Sequence, residues 1–186
     1  MREVEVKIKV SQLSQFKEYC ESAGFQFSSP VTQVDEVYVD RAHAKHFGVT
    51  DKLRTATFIR LRTSEHKNSI TVKQRLSGEL DCLERQWEVG TFNDTKELLD
   101  GLSFQKVVTV KKARRIAANN DFNVCLDEVE GLGQFIEVEK LCSQDINLDL
   151  VQKEIKGFIE KSNIEIESYV TEGYDTLLYK KYEKRN

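Results

Sequence analysis

The run MREVEVKIKV, residues 1–10, places Glu3, Glu5 and Lys7 on one parity and Val4, Val6, Ile8 and Val10 on the other. Successive side chains of a β-strand point to opposite faces, so the run predicts a strand with one charged and one aliphatic face. Two arrangements satisfy that pattern. Either the charges meet water and the valines meet a core, or the charges turn inward and line a polar interior.

The same alternation returns along the chain. In TFIRLRT, Arg60 and Arg62 oppose Ile59 and Leu61; in SITVKQ, Lys73 and Thr71 oppose Ile70 and Val72. In LERQWEV, Glu84, Gln86 and Glu88 oppose Leu83, Trp87 and Val89, and in QFIEVEK, Glu137 and Glu139 oppose Ile136 and Val138. Lys112, Arg114 and Asp127 extend the set from strands of their own. Alternation by itself also describes a sheet with one wet face. Two features favour the inward arrangement. Amphipathic helices are predicted at 11–23, capped by Ser11 and closed by Gly24, and at 146–161, with Leu150, Val151, Ile155, Phe158 and Ile159 in a stripe. They need apolar sheet to cover, and the valine and isoleucine faces supply it. The charged faces also carry acids two apart, an arrangement that is costly unless a cation lies between them.

Further strands are predicted over TQVDEVYVD, KVVTVKKARR and FNVCLDEV, a short helix over NDTKELLDGL with Gly101 as its stop, and a long connection over 41–56. With 186 residues, 39% hydrophobic and 32% charged, one Pro and no linker or repeat, the chain reads as a single α+β domain over 1–186. A net charge of −3 argues against a nucleic-acid binder, and no run is apolar enough to span a bilayer. The N-terminus lacks the apolar stretch of a signal peptide, and Cys20, Cys82, Cys125 and Cys142 are scattered without a CxxC pair. The expectation is a cytoplasmic protein with free thiols. His43 and His46 read as solvated loop residues, Gly131 and Gly133 as turn glycines, and Trp87, Leu177 and Leu178 as exterior core under helices.

Glu3, Glu5, Glu137 and Glu139 offer oxygen ligands only, which suit Mg²⁺ or Mn²⁺. Lys7, Arg60, Arg62, Lys73, Lys112 and Arg114 outnumber those acids once a metal is bound, and their surplus calls for a dense anion such as a polyphosphate.

At this point a family resemblance emerges. EVEVK resembles the ExExK signature of the CYTH superfamily, the triphosphate tunnel metalloenzymes, which includes CyaB-type class IV adenylyl cyclases, thiamine triphosphatases and inorganic triphosphatases. RLR at 60–62, TVK ending at Lys73, KKAR with Lys112 and Arg114, and LDEVEGLGQFIEVE follow in the family's order. The last run matches its Asp, GLG and ExE positions at Asp127, Gly131–Gly133, Glu137 and Glu139. The resemblance implies an eight-stranded antiparallel β-barrel, a tunnel with a polar interior and helices packed outside. It implies a Mg²⁺ or Mn²⁺ site at Glu3, Glu5, Glu137, Glu139 and Asp127, and phosphate contacts from Lys7, Arg60, Arg62, Lys73, Lys112 and Arg114. Glu84 and Glu88 join the substrate-binding set, and Glu3, Glu5, Lys7 and Lys73 form the catalytic set. The chain departs from the family where ERQWE replaces an RxExE strand and where ITVKQR lacks the WxxKGP run of proteobacterial cyclases. The expected activity is metal-dependent hydrolysis of tripolyphosphate or an organic triphosphate. Conversion of ATP to cAMP is the alternative, and a triphosphate-binding module the non-enzymatic one. Expected partners are ATP, thiamine triphosphate or tripolyphosphate, with no nucleic acid or membrane, and a homodimer as the candidate assembly.

Overall fold

The computed structural model describes residues 2–44, 47, 57–65, 67–75, 82–143 and 147–183. Most of the predicted 41–56 connection, with His46, lies outside the described residues, as do the side chains of Glu3 and Cys82. Among the described residues, nine strands and four helices follow one another. They are β1 (Arg2–Val10), α1 (Leu13–Ser22), β2 (Val31–Asp40), β3 (Thr57–Ser64), β4 (Lys67–Arg75), β5 (Cys82–Val89) and α2 (Phe92–Gly101). Then come β6 (Phe104–Ala118), β7 (Asn123–Val129), β8 (Gly133–Cys142), α3 (Leu148–Glu160), β9 (Ile166–Val170) and α4 (Tyr174–Glu183). The strands form one antiparallel sheet in the order β5-β4-β3-β2-β6-β7-β8-β1-β9. The antiparallel α+β architecture is the one expected, with a ninth strand added: β9 pairs with β1 across a register shift at Lys9/Val10. Its sequence, IESYV, has neither a clean apolar alternation nor a buried interior, so the pattern gives no strand there.

The chain divides into two compact units. The first holds residues 1–31, 113–129 and 133–171; the second holds 32–112, 130–132 and 172–186.

In the first unit the register of β1 on β8 pairs Val6 with Val138 and Ile8 with Ile136 on one face. That face is sealed by Phe16 and Cys20 of α1 and by Val151, Ile155 and Ile159 of α3, all buried. The helices therefore take the aliphatic side, as their stripes require, although Leu150 points to solvent at 65% exposure and lies off the buried stripe. Helix α1 starts on Gln12 rather than Ser11, with no side-chain cap. It ends as predicted: Gly24 takes φ +89°, and Gly24 and Phe25 donate back to the carbonyls of Glu21 and Cys20. Asn147 caps α3 by accepting from the backbone of Asp149 and Leu150.

The opposite face of the same strands is also withdrawn from water. Lys7 and Glu137 are each 5% exposed and Asp127 is fully buried. Among the described residues of EVEVK, the charged face is buried at Lys7 and half-buried at Glu5.

In the second unit, β2 and β3 pair Tyr38 with Ile59 and Glu36 with Leu61. Tyr38, Ile59 and Leu61 pack under Leu99 of α2, with Ile70, Val72, Phe92 and Phe104 around them. Trp87, expected beneath a helix, is 52% exposed instead. It sits on β5, the last strand in the sheet order, beyond the ground that α2 covers. In α4, Leu178 is buried and Leu177 half-buried. Gly131 and Gly133 are turn glycines between β7 and β8, at φ +78° and +104°.

Because Ile155 is fully buried against the valine face, Ile155→Ala is expected to cost about 2–5 kcal/mol of stability. Urea unfolding measures it.

Candidate metal and anion sites

Pairing in the first unit stacks side chains of three strands in rows. Lys7 of β1 lies opposite Glu137 of β8, which lies opposite Cys125 of β7. One step along, Glu5 lies opposite Glu139. The Lys7 ammonium sits 3.1 Å from both Glu5 Oε1 and Glu137 Oε1. Arg114 of β6 forks onto Asp127, Nε donating to Oδ1 at 2.7 Å and Nη2 to Oδ2, and Nη2 also reaches Glu137 Oε2. Burial alone would lower the pKa of Lys7, but attraction to Glu137 and Glu5 outweighs it and holds the ammonium above its ordinary value. Arg114 is held charged in the same way by Glu137 and Asp127. Burial pushes Glu5 up, and the neighbouring Glu137 pushes it further against the pull of Lys7.

Four carboxylates, those of Glu5, Asp127, Glu137 and Glu139, thus share this face with two cations, Lys7 and Arg114. Glu5 Oε1 is buried, with the Lys7 ammonium 3.1 Å away. One ligand atom each from Cys125, Glu137 and Glu139 lie within 4.8 Å of one another. The carboxylate donors fit a hard divalent cation. Both oxygens of Asp127 are taken up by Arg114, whereas those of Glu137 are shared between Lys7 and Arg114.

The second unit has a face of the opposite sign. Arg62 forks onto buried Asp35, Nε to Oδ1 at 2.6 Å and Nη2 to Oδ2 at 2.7 Å, across the register pair of β2 and β3. Burial would raise the Asp35 pKa, but the Arg62 hydrogen bonds and the charges of Arg62, Arg60 and Lys112 hold it below the usual carboxylate range. Lys73 pairs with Glu84 on the next strand. Arg60 is anchored only loosely: Nη2 donates to Thr71 Oγ1 at 3.3 Å and stands 3.9 Å from Glu84 Oε2. Its Nε is buried without a hydrogen-bond partner among the described residues. Burial and repulsion from Arg62 lower its pKa in spite of Asp35, Glu84 and Asp175. Lys112 is buried, its ammonium 5.1 Å from the centre of the Tyr174 ring. Glu88, by contrast, is 76% exposed and pairs with exposed Lys67 at 3.4 Å, so it stands apart from the enclosed cations.

Each described site residue named from sequence is therefore placed, in two groups. Glu5, Lys7, Arg114, Asp127, Glu137 and Glu139 belong to the first unit, and Arg60, Arg62, Lys73, Glu84 and Lys112 to the second. Sequence reasoning missed two members. Asp35 sits in an aliphatic strand with Val37 and Val39 on its own parity, a misplaced acid that could have been noticed. Cys125 precedes Asp127 by two and shares its face, a signal hidden by reading the scattered cysteines only as free thiols.

A family model described as CYTH domain matches residues 1–174. The chain belongs to the CYTH domain family. Its relatives include a Methanocaldococcus jannaschii protein named "Putative adenylate cyclase", 27% identical over 178 residues that cover 94% of this chain and 97% of the relative. A Pyrococcus horikoshii protein of solved structure is 26% identical, with a TM-score of 0.72 over 97% of this chain and 99% of its own. A Hippeastrum structure, described as a "Putative adenylyl cyclase" with a dominant triphosphatase activity, shares the fold at 17% identity and a TM-score of 0.63, covering 98% of this chain and 96% of that one.

The Asp35–Arg62 pair yields an acid-stability prediction. A folded pKa below the unfolded value of about 3.9 means the pair's contribution is complete above that pH and is lost as pH falls through the folded value. Asp35→Asn leaves the half-buried Arg62 guanidinium without its buried partner and is expected to cost about 1.5–3 kcal/mol at neutral pH. The gap from the unsubstituted protein should narrow below about pH 4, as urea titrations across pH will show.

Proposed function

We propose that this protein is a metal-dependent enzyme acting on a triphosphate, and that residues 1–186 work as one CYTH-like domain. Hydrolysis of tripolyphosphate or an organic triphosphate is the reading preferred. The observation that carries it is Arg60, a half-buried guanidinium repelled by Arg62 whose buried Nε has no hydrogen-bond partner among the described residues. Such a group is stabilised by an anion, and a guanidinium fork matches phosphate oxygens.

In this reading Asp35 is the anchor that fixes Arg62. Its fork uses Nε and one edge of the guanidinium, leaving the Nη1 donors for a phosphate oxygen. Glu84 orients Lys73 in the same manner. In the first unit Glu5, Glu137 and Glu139 would hold Mg²⁺ or Mn²⁺, and Asp127 acts through Arg114 rather than as a ligand. When bound there, the ion supplies positive charge to phosphate oxygens. Lys7, kept charged by its two glutamates, is a source of positive field and not a base. Glu3 would extend the acidic row, and Glu88, on its exposed strand, has the weakest claim to substrate.

Cyclisation of ATP to cAMP uses the same cradle and differs only in whether the ribose 3′-hydroxyl or water attacks. The naming of relatives as cyclases keeps that reading in play. The absence of a WxxKGP run and the triphosphatase activity ascribed to the Hippeastrum protein favour hydrolysis.

Incubation with Mg²⁺ or Mn²⁺ and ATP, thiamine triphosphate or tripolyphosphate, followed by product separation, is expected to show orthophosphate release. Cyclic AMP with pyrophosphate would shift the assignment to a cyclase, and turnover of none of them would overturn the enzyme. Arg60→Ala should weaken triphosphate binding by about 1.5–3 kcal/mol in calorimetry. Glu5→Gln should abolish turnover and yet raise the melting temperature of the metal-free protein. The raised Glu5 pKa means that its ionised form opposes folding near neutral pH, and the amide removes that charge.

A further inference from the structure

Gln33 stands in the second unit one register step beyond the Asp35–Arg62 fork. β2 and β3 pair Gln33 with Ser64, Asp35 with Arg62 and Val37 with Arg60. Gln33 therefore has the parity of Asp35 and lies on the face of the two arginines. It is only 8% exposed, and its Oε1 is buried with no hydrogen-bond partner among the described residues. An amide oxygen buried without a donor is destabilising, so its presence calls for a partner from outside the chain. The same face holds an unmet group of the opposite kind, Arg60 Nε, a buried donor without an acceptor. Four residues of strand, about 14 Å, separate the rows of Gln33 and Arg60, and neither group satisfies the other. Ionised phosphate oxygens accept hydrogen bonds and have none to donate. A triphosphate chain alone answers Arg60 and leaves Gln33 Oε1 bare. A ligand that answers both carries an O–H or N–H donor beyond its phosphates.

We infer that Gln33 is a specificity residue whose amide oxygen accepts a hydrogen bond from the organic part of the substrate. The substrate class is then a triphosphate ester bearing a hydroxyl or amino group, in preference to inorganic tripolyphosphate. This rests on the triphosphate reading above and narrows it. With the phosphates gripped by Arg60 and Arg62, Gln33 lies one row past Arg62, where the group esterified to the chain belongs. A sugar hydroxyl and a ring amine both present the donor that Oε1 lacks. Discrimination follows because a ligand without that donor seals the amide oxygen in the complex unpaired.

The test is calorimetric titration of the protein with ATP and with tripolyphosphate, without added metal so that no turnover intervenes, before and after Gln33→Leu. The expected result is a fall of at least about tenfold in the ratio of ATP affinity to tripolyphosphate affinity. A purely structural defect weakens both ligands alike and leaves the ratio where it was. An unchanged ratio, which would also result if the amide donated its N–H to phosphate, overturns the role of Gln33 and leaves the triphosphate reading standing. Binding of neither ligand to the unsubstituted protein overturns both. Two analogues tell the donors apart in the unsubstituted protein: 2′,3′-dideoxy-ATP lacks the hydroxyls, and purine riboside triphosphate lacks the amine. The analogue missing the donor in use should bind at least about tenfold more weakly than ATP. Parity of both with ATP overturns the proposal, and this comparison decides the matter should Gln33→Leu fail to fold.

Discussion

Glu137 is held from both sides by positive charge, Lys7 on one oxygen and Arg114 on the other. That contact follows from the pairing of β1, β7 and β8, which sets every second residue of each strand on one buried face. Charge withdrawn from water is tolerated only when opposite charge lies against it. A slip of one residue would turn Lys7 into the valine core and Ile8 toward the acids, so the ion pairs and the aliphatic packing enforce the same register.

The aliphatic face leaves the charges no other place. Helices α1 and α3 cover Val4, Val6, Ile8, Val124 and Val138, and burying that surface is the dominant favourable term in the first unit. Once the helices own that side, the acids and cations must meet one another on the reverse. The fold thereby makes a polar interior as a consequence of its apolar one.

In each unit, taken by itself, two kinds of charged residue can be told apart. Asp35 and Asp127 are spent on holding an arginine in place, each in a two-pronged contact. Among the described residues, Arg60 keeps a buried Nε without a hydrogen-bond partner, and the buried Oε1 of Glu5 has only the Lys7 ammonium close by, at 3.1 Å. Anchors set geometry, and unsatisfied groups announce a ligand, since leaving them bare costs about 1–3 kcal/mol each. One of these groups is an acid and the other a base, a pairing that suits a metal and an anion. Membership of the CYTH domain family is consistent with both.

The strand periods of EVEVKIKV, TFIRLRT and QFIEVEK, the stripes of the two main helices and the ordered charged motifs were all legible in the sequence, because period and residue type are local properties. So was the family. The sequence could not say which face was inward, since a half-wet sheet alternates in the same way; only the helices packed on the valines decided it. Nor could it sort anchors from ligands. Asp127 reads as one more acid in LDEVEG until Arg114 is seen to occupy both its oxygens. Asp35, the exposed Trp87 and the strand β9 escaped notice for a related reason. Their places depend on which strand lies beside them and which lies at an edge, and strand order is a non-local property that only the tertiary structure decides.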